Sequence, residues 1–113
     1  MQITLHQLLR ADFSNYGSVV DIIAPGVDCY SADFQGGYLT ISGTSMSTPL
    51  VAGWAAILRS ANPKYTNVQL RQKIIEYSVN GTMKNVPSNT VNRFINVRCP
   101  IPPTAFGNEE GSD

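Results

Sequence analysis

Ser45 sits in the run Ile41-Ser42-Gly43-Thr44-Ser45-Met46-Ser47-Thr48-Pro49, where an apolar stretch ends at a glycine and a long Ala-, Leu- and Val-rich segment begins. Thr44 is placed to cap a helix there, which puts Ser45 in the first turn. First-turn N–H groups have no intrahelical partner, and the positive end of the helix dipole lies with them. A hydroxyl beside a free N–H in that field suits acyl transfer: the oxygen attacks a carbonyl and the N–H steadies the oxyanion. On residue type alone a plainer role competes, because Ser and Thr stand at helix starts simply as caps.

Two other nucleophile patterns fail here. A nucleophile elbow of the α/β-hydrolase type wants Gly two residues after the Ser and a His later in the chain; Ser47 stands at the first position and no His follows Ser45. The Ser-x-x-Lys pattern fails because Thr48 occupies the last position.

The elements that must hold Ser45 follow from hydrophobic patterning. Val19, Val20, Ile22 and Ile23 form a β-branched run stopped by Pro25-Gly26, which predicts a buried strand. Val27–Ser31 and Tyr38–Ile41 predict two more strands, separated by the Gly36-Gly37 turn. A helix is expected from Met46 to about Ser60, apolar or small nearly all the way round and so suited to the inside of a large core. Pro49 falls early in it, where one missing N–H costs least. A second helix opens at Thr66 with a capping box to Gln69, and Tyr65 and Leu70 are placed as a hydrophobic staple. Its expected apolar stripe is Val68, Ile75 and Val79, with Leu70 and Ile74 beside it. A last apolar run spans Val91 to Val97, before Pro100, Pro102 and Pro103 break regular structure. Three short strands and one further helix can hardly enclose so apolar a central helix.

Gly43-Thr44-Ser45-Met46-Ser47-Thr48-Pro49, followed by Val51-Ala52-Gly53, closely resembles the nucleophile signature of the subtilisin-like serine proteases. Phe13-Ser14-Asn15-Tyr16-Gly17 and Val20-Asp21-Ile22-Ile23-Ala24-Pro25-Gly26 resemble the same family, and Val86-Pro87-Ser88-Asn89-Thr90-Val91-Asn92-Arg93 resembles its proteinase K branch. The resemblance covers residues 11–99. It implies an α/β fold: the C-terminal part of a three-layer domain with a mainly parallel sheet, incomplete in this chain. Residues 1–10 match nothing in the family, and 100–113 form a Pro-containing acidic tail. Ser45 corresponds to the nucleophile and its N–H to one oxyanion donor. Asp21 corresponds to a calcium-binding Asp whose other ligands come from earlier chain; a buried, hydrogen-bonded Asp beside the Pro-Gly turn is the competing reading. The chemistry itself needs no cofactor. Leu50 departs from the His usual after the Pro.

The family's triad runs Asp, His, Ser. His6 is the only histidine; it lies too close to Ser45 and outside any His-Gly-Thr context, and no Asp stands in an Asp-Ser/Thr-Gly context. Two readings stand side by side. One is the C-terminal part of a serine endopeptidase, acting on polypeptides and inactive without its Asp and His. The other is a non-catalytic truncated pseudoprotease or protein-binding remnant.

Composition limits partners. The 113 residues carry eight basic and eight acidic side chains, and charged residues are only 14% of the chain. A uniformly basic nucleic-acid binder and a highly charged disordered chain are excluded. The neutrality is a sum of unlike parts: net −3 over residues 1–45, +6 over 46–99 and −3 over 100–113. The basic charges of the middle part are dispersed and lack interleaved aromatics, so they do not make a nucleic-acid platform. No run reaches the ~18 apolar residues of a membrane span. Cys29 and Cys99 fit no zinc site; an internal bridge and pairing outside the chain both stay open. Asn80-Gly81-Thr82 is a glycosylation sequon in a turn. Met1–Arg10 carries no signal-peptide pattern, and a secretory or extracellular setting is expected from the resemblance alone.

Overall fold

The computed structural model describes residues 8–98. In chain order it has strands β1 (Leu8–Leu9), β2 (Cys29–Ala32) and β3 (Tyr38–Ile41), helices α1 (Thr44–Ala61) and α2 (Asn67–Tyr77), and strands β4 (Val79–Asn80), β5 (Met83–Lys84) and β6 (Arg93–Phe94). The pairings are β1 with β5, parallel, and two antiparallel pairs, β2 with β3 and β4 with β6. His6, Cys99 and the tail lie outside the described residues, and with them the Cys29–Cys99 pairing.

β2 and β3 form a hairpin in which Cys29 opposes Ile41 and Ala32 opposes Tyr38. Its turn uses Gly36 and Gly37 at φ 97° and 80°, conformations that cost a residue with a side chain. The Asp33 carboxylate accepts the Gln35 N–H and closes the loop. The Gly36-Gly37 turn is where the residues predict it.

α1 begins at Thr44, two residues before the expected Met46. Gly43, not Thr44, is the N-cap residue, in an extended conformation and without a side-chain cap bond. Ser45 is therefore the second helical residue and Pro49 the sixth. At that place Pro49 withholds the N–H that would reach the Ser45 carbonyl one turn back. α2 opens as predicted: the Gln69 N–H donates to Thr66 Oγ1 at 3.2 Å, and the Thr66 N–H to Gln69 Oε1 at 2.9 Å.

The core lies between the helices. Trp54 and Leu58 of α1 meet Ile74 and Tyr77 of α2, with Ile22, Leu70 and Ile95 packed around them. The buried stripe of α2 thus runs through Ile74 and Tyr77, flanked by Leu70. Val68 is 64% exposed, so the expected Val68–Ile75–Val79 stripe is corrected; Leu70, Ile74 and Tyr77 are spaced four and three apart and share one side. Five large apolar residues are buried among the described residues, against fourteen that are exposed. α1 shows why: its Leu50 and Ile57 stand open to solvent.

The Val19–Ile23 run is not a strand. It makes one parallel bridge, Ile23 to Phe94, and Val19 is exposed. The Ile23 N–H donates to the Arg93 carbonyl and the Ile95 N–H to the Ile23 carbonyl, both at 2.8 Å. That is the pattern of a parallel ladder one residue long. The Val91–Val97 run likewise shortens to β6. Both are corrections: a strand is a relation between neighbours, and among the described residues the first segment pairs only through Ile23, while β6, flanked by β4 and Ile23, is paired over no more than two residues.

Candidate active site

Ser45 is positioned from beneath by a turn far away in sequence. The Gly43 N–H donates to the Gly26 carbonyl at 2.7 Å, and Ser47 Oγ donates to the Ala24 carbonyl at 3.0 Å. The Asp28 N–H donates to Ser42 Oγ at 2.8 Å. Pro25-Gly26 and the first turn of α1 are thereby clipped together at three points. Gly26 is buried, and a Cβ there would fall onto Ser47 Oγ and lie 2.7 Å from the Gly43 carbonyl. Glycine is required at this contact for space.

Ser45 itself is exposed. Neither its N–H nor its Oγ has a hydrogen-bond partner among the described residues. Both are held at a helix N-terminus and available to an incoming carbonyl, the geometry an oxyanion donor and its nucleophile need. No histidine is among the described residues. They bring together an exposed Ser hydroxyl and a free N–H at one helix N-terminus.

Asp21 is not at that site. Its carboxylate is paired with Arg71 of α2 through two hydrogen bonds: Nε to Oδ2 at 3.0 Å, and Nη2 to Oδ1. Hydrogen bonding from Arg71 holds the Asp21 carboxyl below its ordinary range; burial opposes this, and Coulombic attraction to Arg71 adds to it. The same pair raises Arg71 above its ordinary value. Asp21 is about half exposed, which corrects the competing expectation of a buried Asp. Both Asp21 oxygens are engaged by Arg71, and no group of three or more His, Cys, Asp or Glu side chains gathers among the described residues. Asn80, the sequon residue, is exposed in β4 and followed by Gly81 at φ 70°.

Residue patterns did not point to three supports. Ser47 anchors α1 to Ala24. Thr90 is buried, and its Oγ1 accepts the Gly17 N–H at 2.8 Å, joining the Phe13–Gly17 and Val86–Arg93 motifs. The Asn92 amide bonds the N–H and the carbonyl of Met83 at 3.1 and 2.7 Å, holding β5 as a neighbouring strand would.

The chain belongs to the subtilase family, whose family model ("Subtilase family") matches residues 5–95. It is 52% identical over 65 residues to a thermostable alkaline protease of Halalkalibacterium halodurans, a match covering 58% of this chain and 18% of that protein. It is 47% identical over 83 residues to a cuticle-degrading protease of Metarhizium anisopliae, covering 74% of this chain and 21% of that one. A cold-adapted subtilisin-like serine proteinase of known structure superimposes with a TM-score of 0.77 at 40% identity, covering 80% of this chain and 33% of its own. The chain is thus similar to about a third or less of each of these proteins. Its fold is the subtilisin-like one, represented by a part of the domain. No helix among the described residues is long and apolar enough to cross a membrane.

Proposed function

We propose that this chain is the nucleophile-bearing part of a serine endopeptidase and that it needs the preceding part of the domain to act. The observation that carries this is Ser45, exposed at the start of α1 with its N–H and Oγ both free, in a subtilase sequence. In the complete domain a His takes the Oγ proton as Ser45 attacks the peptide carbonyl. The amine leaves with that proton, and water then hydrolyses the acyl-enzyme. Alone, the chain lacks the base, and loss of triad members costs on the order of 10⁴ to 10⁶ in rate.

Within the family we favour the proteinase K-like branch, on the order Val86-Pro87-Ser88-Asn89-Thr90-Val91-Asn92-Arg93. Polypeptides are the substrate class, nucleic acid is not a partner, and the setting is secretory or extracellular, with Asn80 as the glycan acceptor. Calcium at Asp21 belongs to the complete domain, where the remaining ligands must displace Arg71.

The test is labelling by a fluorophosphonate probe. The native full-length protein is expected to label at Ser45, Ser45→Ala to stay unlabelled, and the 113-residue chain alone to stay unlabelled. Full-length protein that resists the probe would leave the protein-binding remnant as the reading. Enzyme-like labelling of the chain alone would overturn its dependence on a preceding part.

A further inference from the structure

Asn80-Gly81 is the only Asn-Gly pair in the chain. Glycine after asparagine leaves the next backbone nitrogen unscreened by a Cβ, so that nitrogen can reach the asparagine side-chain carbon. Both residues are exposed, and the Asn80 side-chain amide has no hydrogen-bond partner among the described residues. Water and solvent base therefore have access to the reacting atoms.

Two features of the fold oppose the reaction. The Gly81 N–H donates to the Asn92 carbonyl at 2.9 Å, which continues the β4–β6 ladder one step past Asn80 and Arg93. A nitrogen whose proton is shared with a carbonyl is a poorer acid and a poorer nucleophile. Asn80 is also in a strand, and its extended backbone must be given up before a five-membered ring can close. Both constraints lean on Asn92, whose side chain accepts the Met83 N–H at 3.1 Å and donates to the Met83 carbonyl at 2.7 Å. The turn that runs from Gly81, at φ 70°, to Met83 is pinned to Asn92 by these bonds and the Gly81 one. β4 is only two residues long, and among the described residues one of its edges is paired. Elements this short open locally well before a domain unfolds.

We propose that Asn80-Gly81 is a deamidation site held in check by Asn92. When β4 parts from β6, the Gly81 nitrogen gives its proton to solvent base and attacks Cγ of Asn80. A C–N bond forms, the side-chain nitrogen takes up a proton and leaves as ammonia, and a succinimide joins the two residues. Water then opens the ring at either carbonyl, adding its hydroxyl to the carbon and its proton to the nitrogen. Opening at one carbonyl gives aspartate, and opening at the other gives isoaspartate. Water is the only co-reactant. Either product sets a carboxylate opposite Arg93, and isoaspartate also adds one carbon to the backbone, which spoils the spacing of the β4–β6 ladder. The departing nitrogen is the atom that would carry a glycan, so deamidation and glycosylation of Asn80 exclude each other. None of this depends on catalysis at Ser45.

The test ages the full-length protein in mildly alkaline buffer, made in bacteria without glycan and carrying Ser45→Ala to prevent self-digestion. Peptide mapping locates deamidation, and an isoaspartyl methyltransferase measures isoaspartate. In strong urea, where the ladder is absent, Asn80 is expected to react faster than any other asparagine. In the folded protein it is expected to react at least about tenfold more slowly, at a rate that rises with hydrogen exchange of the Gly81 N–H as urea is added below the unfolding transition. Asn92→Ala with an unchanged far-ultraviolet spectrum is expected to speed the folded reaction about fivefold or more, since two hydrogen bonds of the clamp are lost. If that variant unfolds, the exchange comparison in the unaltered Asn92 protein decides. Equal folded and unfolded rates, a rate that does not follow Gly81 exchange, a folded Asn92→Ala that reacts no faster, or isoaspartate at another asparagine in place of Asn80 each overturns the proposal.

Discussion

The Gly43 N–H donates to the carbonyl of Gly26, seventeen positions earlier, at 2.7 Å. This bond joins the two ends of the segment that carries the β2–β3 hairpin, and it seats the start of α1 on the Pro25-Gly26 turn. Ser45, two residues on, inherits its place from that contact. A helix N-terminus is useful to catalysis only if it is held still, and Gly26, Ala24 and Asp28 hold this one.

Gly26→Ala is expected to destabilise the chain by about 1–3 kcal/mol, the usual cost of forcing volume into a packed place. The new methyl meets Ser47 Oγ and the Gly43 carbonyl. Adding Ser47→Ala removes the first collision but not the backbone one, so the double variant is expected to remain less stable than Ser47→Ala alone. Urea denaturation of the four proteins checks this. Equal midpoints for Ser47→Ala and the double variant would show that the backbone contact imposes no constraint.

The Asp21–Arg71 pair sets a pH dependence of known sign. The folded carboxyl is held below its unfolded value, so the pair stabilises above the ordinary carboxylate range and loses its effect as pH falls through the lowered folded value. Arg71 stays protonated throughout that window. The pair is solvent-exposed, so the effect is small and weakens with salt. Arg71→Gln is expected to lower the melting temperature slightly at pH 7 and not at all once Asp21 is protonated in both states. A difference that grows toward acid would reverse the assignment.

What could be read from residue order was mostly local. The Thr66–Gln69 capping box and the Gly36-Gly37 turn are decided within four residues and appear as written. Ser45 was legible because an ordered run of residues surrounds it. The support beneath it was not: Gly26 meets Ser47 and Gly43 only after the hairpin has folded back. Asp21 and Arg71 are fifty positions apart, and neither sits in a pattern that announces the other. Val20–Ala24 reads as a strand from its β-branched residues, yet one edge lacks a neighbour among the described residues. The composition of a strand is local, but its hydrogen bonds are not.

The outer side of α1 predicts how the isolated chain behaves. Leu50 and Ile57 are 47% and 44% exposed, and they share a side of the helix that does not border the cleft lined by Val51, Ala52 and Ala55. Exposed apolar stripes of this kind drive association. Sedimentation is expected to show concentration-dependent self-association, reduced in Leu50→Gln/Ile57→Gln with little change in melting temperature, since neither side chain is in the core. Unchanged association would place the sticky surface elsewhere, with the exposed Tyr30–Tyr38 stack of the hairpin as the next surface to vary.

Asn80 offers a chemical test of exposure. It lies in a two-residue edge pair with Arg93, and Gly81 turns the chain outward immediately after it. Secreted from a eukaryotic host, the chain is expected to gain an endoglycosidase-sensitive mass that Asn80→Gln abolishes. Absence of that mass in secreted material would remove Asn80 as an acceptor.

Trp54 reports whether the two-helix core forms without the rest of the domain. It is the only tryptophan, it is 1% exposed, and its ring packs 6.4 Å from that of Tyr77 at a tilt of 51°. A folded chain is therefore expected to emit at short wavelength and to shift red cooperatively with urea. Trp54→Ala removes the largest side chain of a core with five buried apolar residues among the described ones, at a cost of about 3–5 kcal/mol. That is a large fraction of the total stability of a small domain, so this variant is expected to lose its far-ultraviolet helical signal at room temperature. Trp54→Phe keeps an aromatic ring against Tyr77 and removes an indole N–H that has no protein partner among the described residues. It is expected to retain most of the helix. If Trp54→Ala keeps the helical signal as fully as Trp54→Phe, the α1–α2 contact is not what folds this chain.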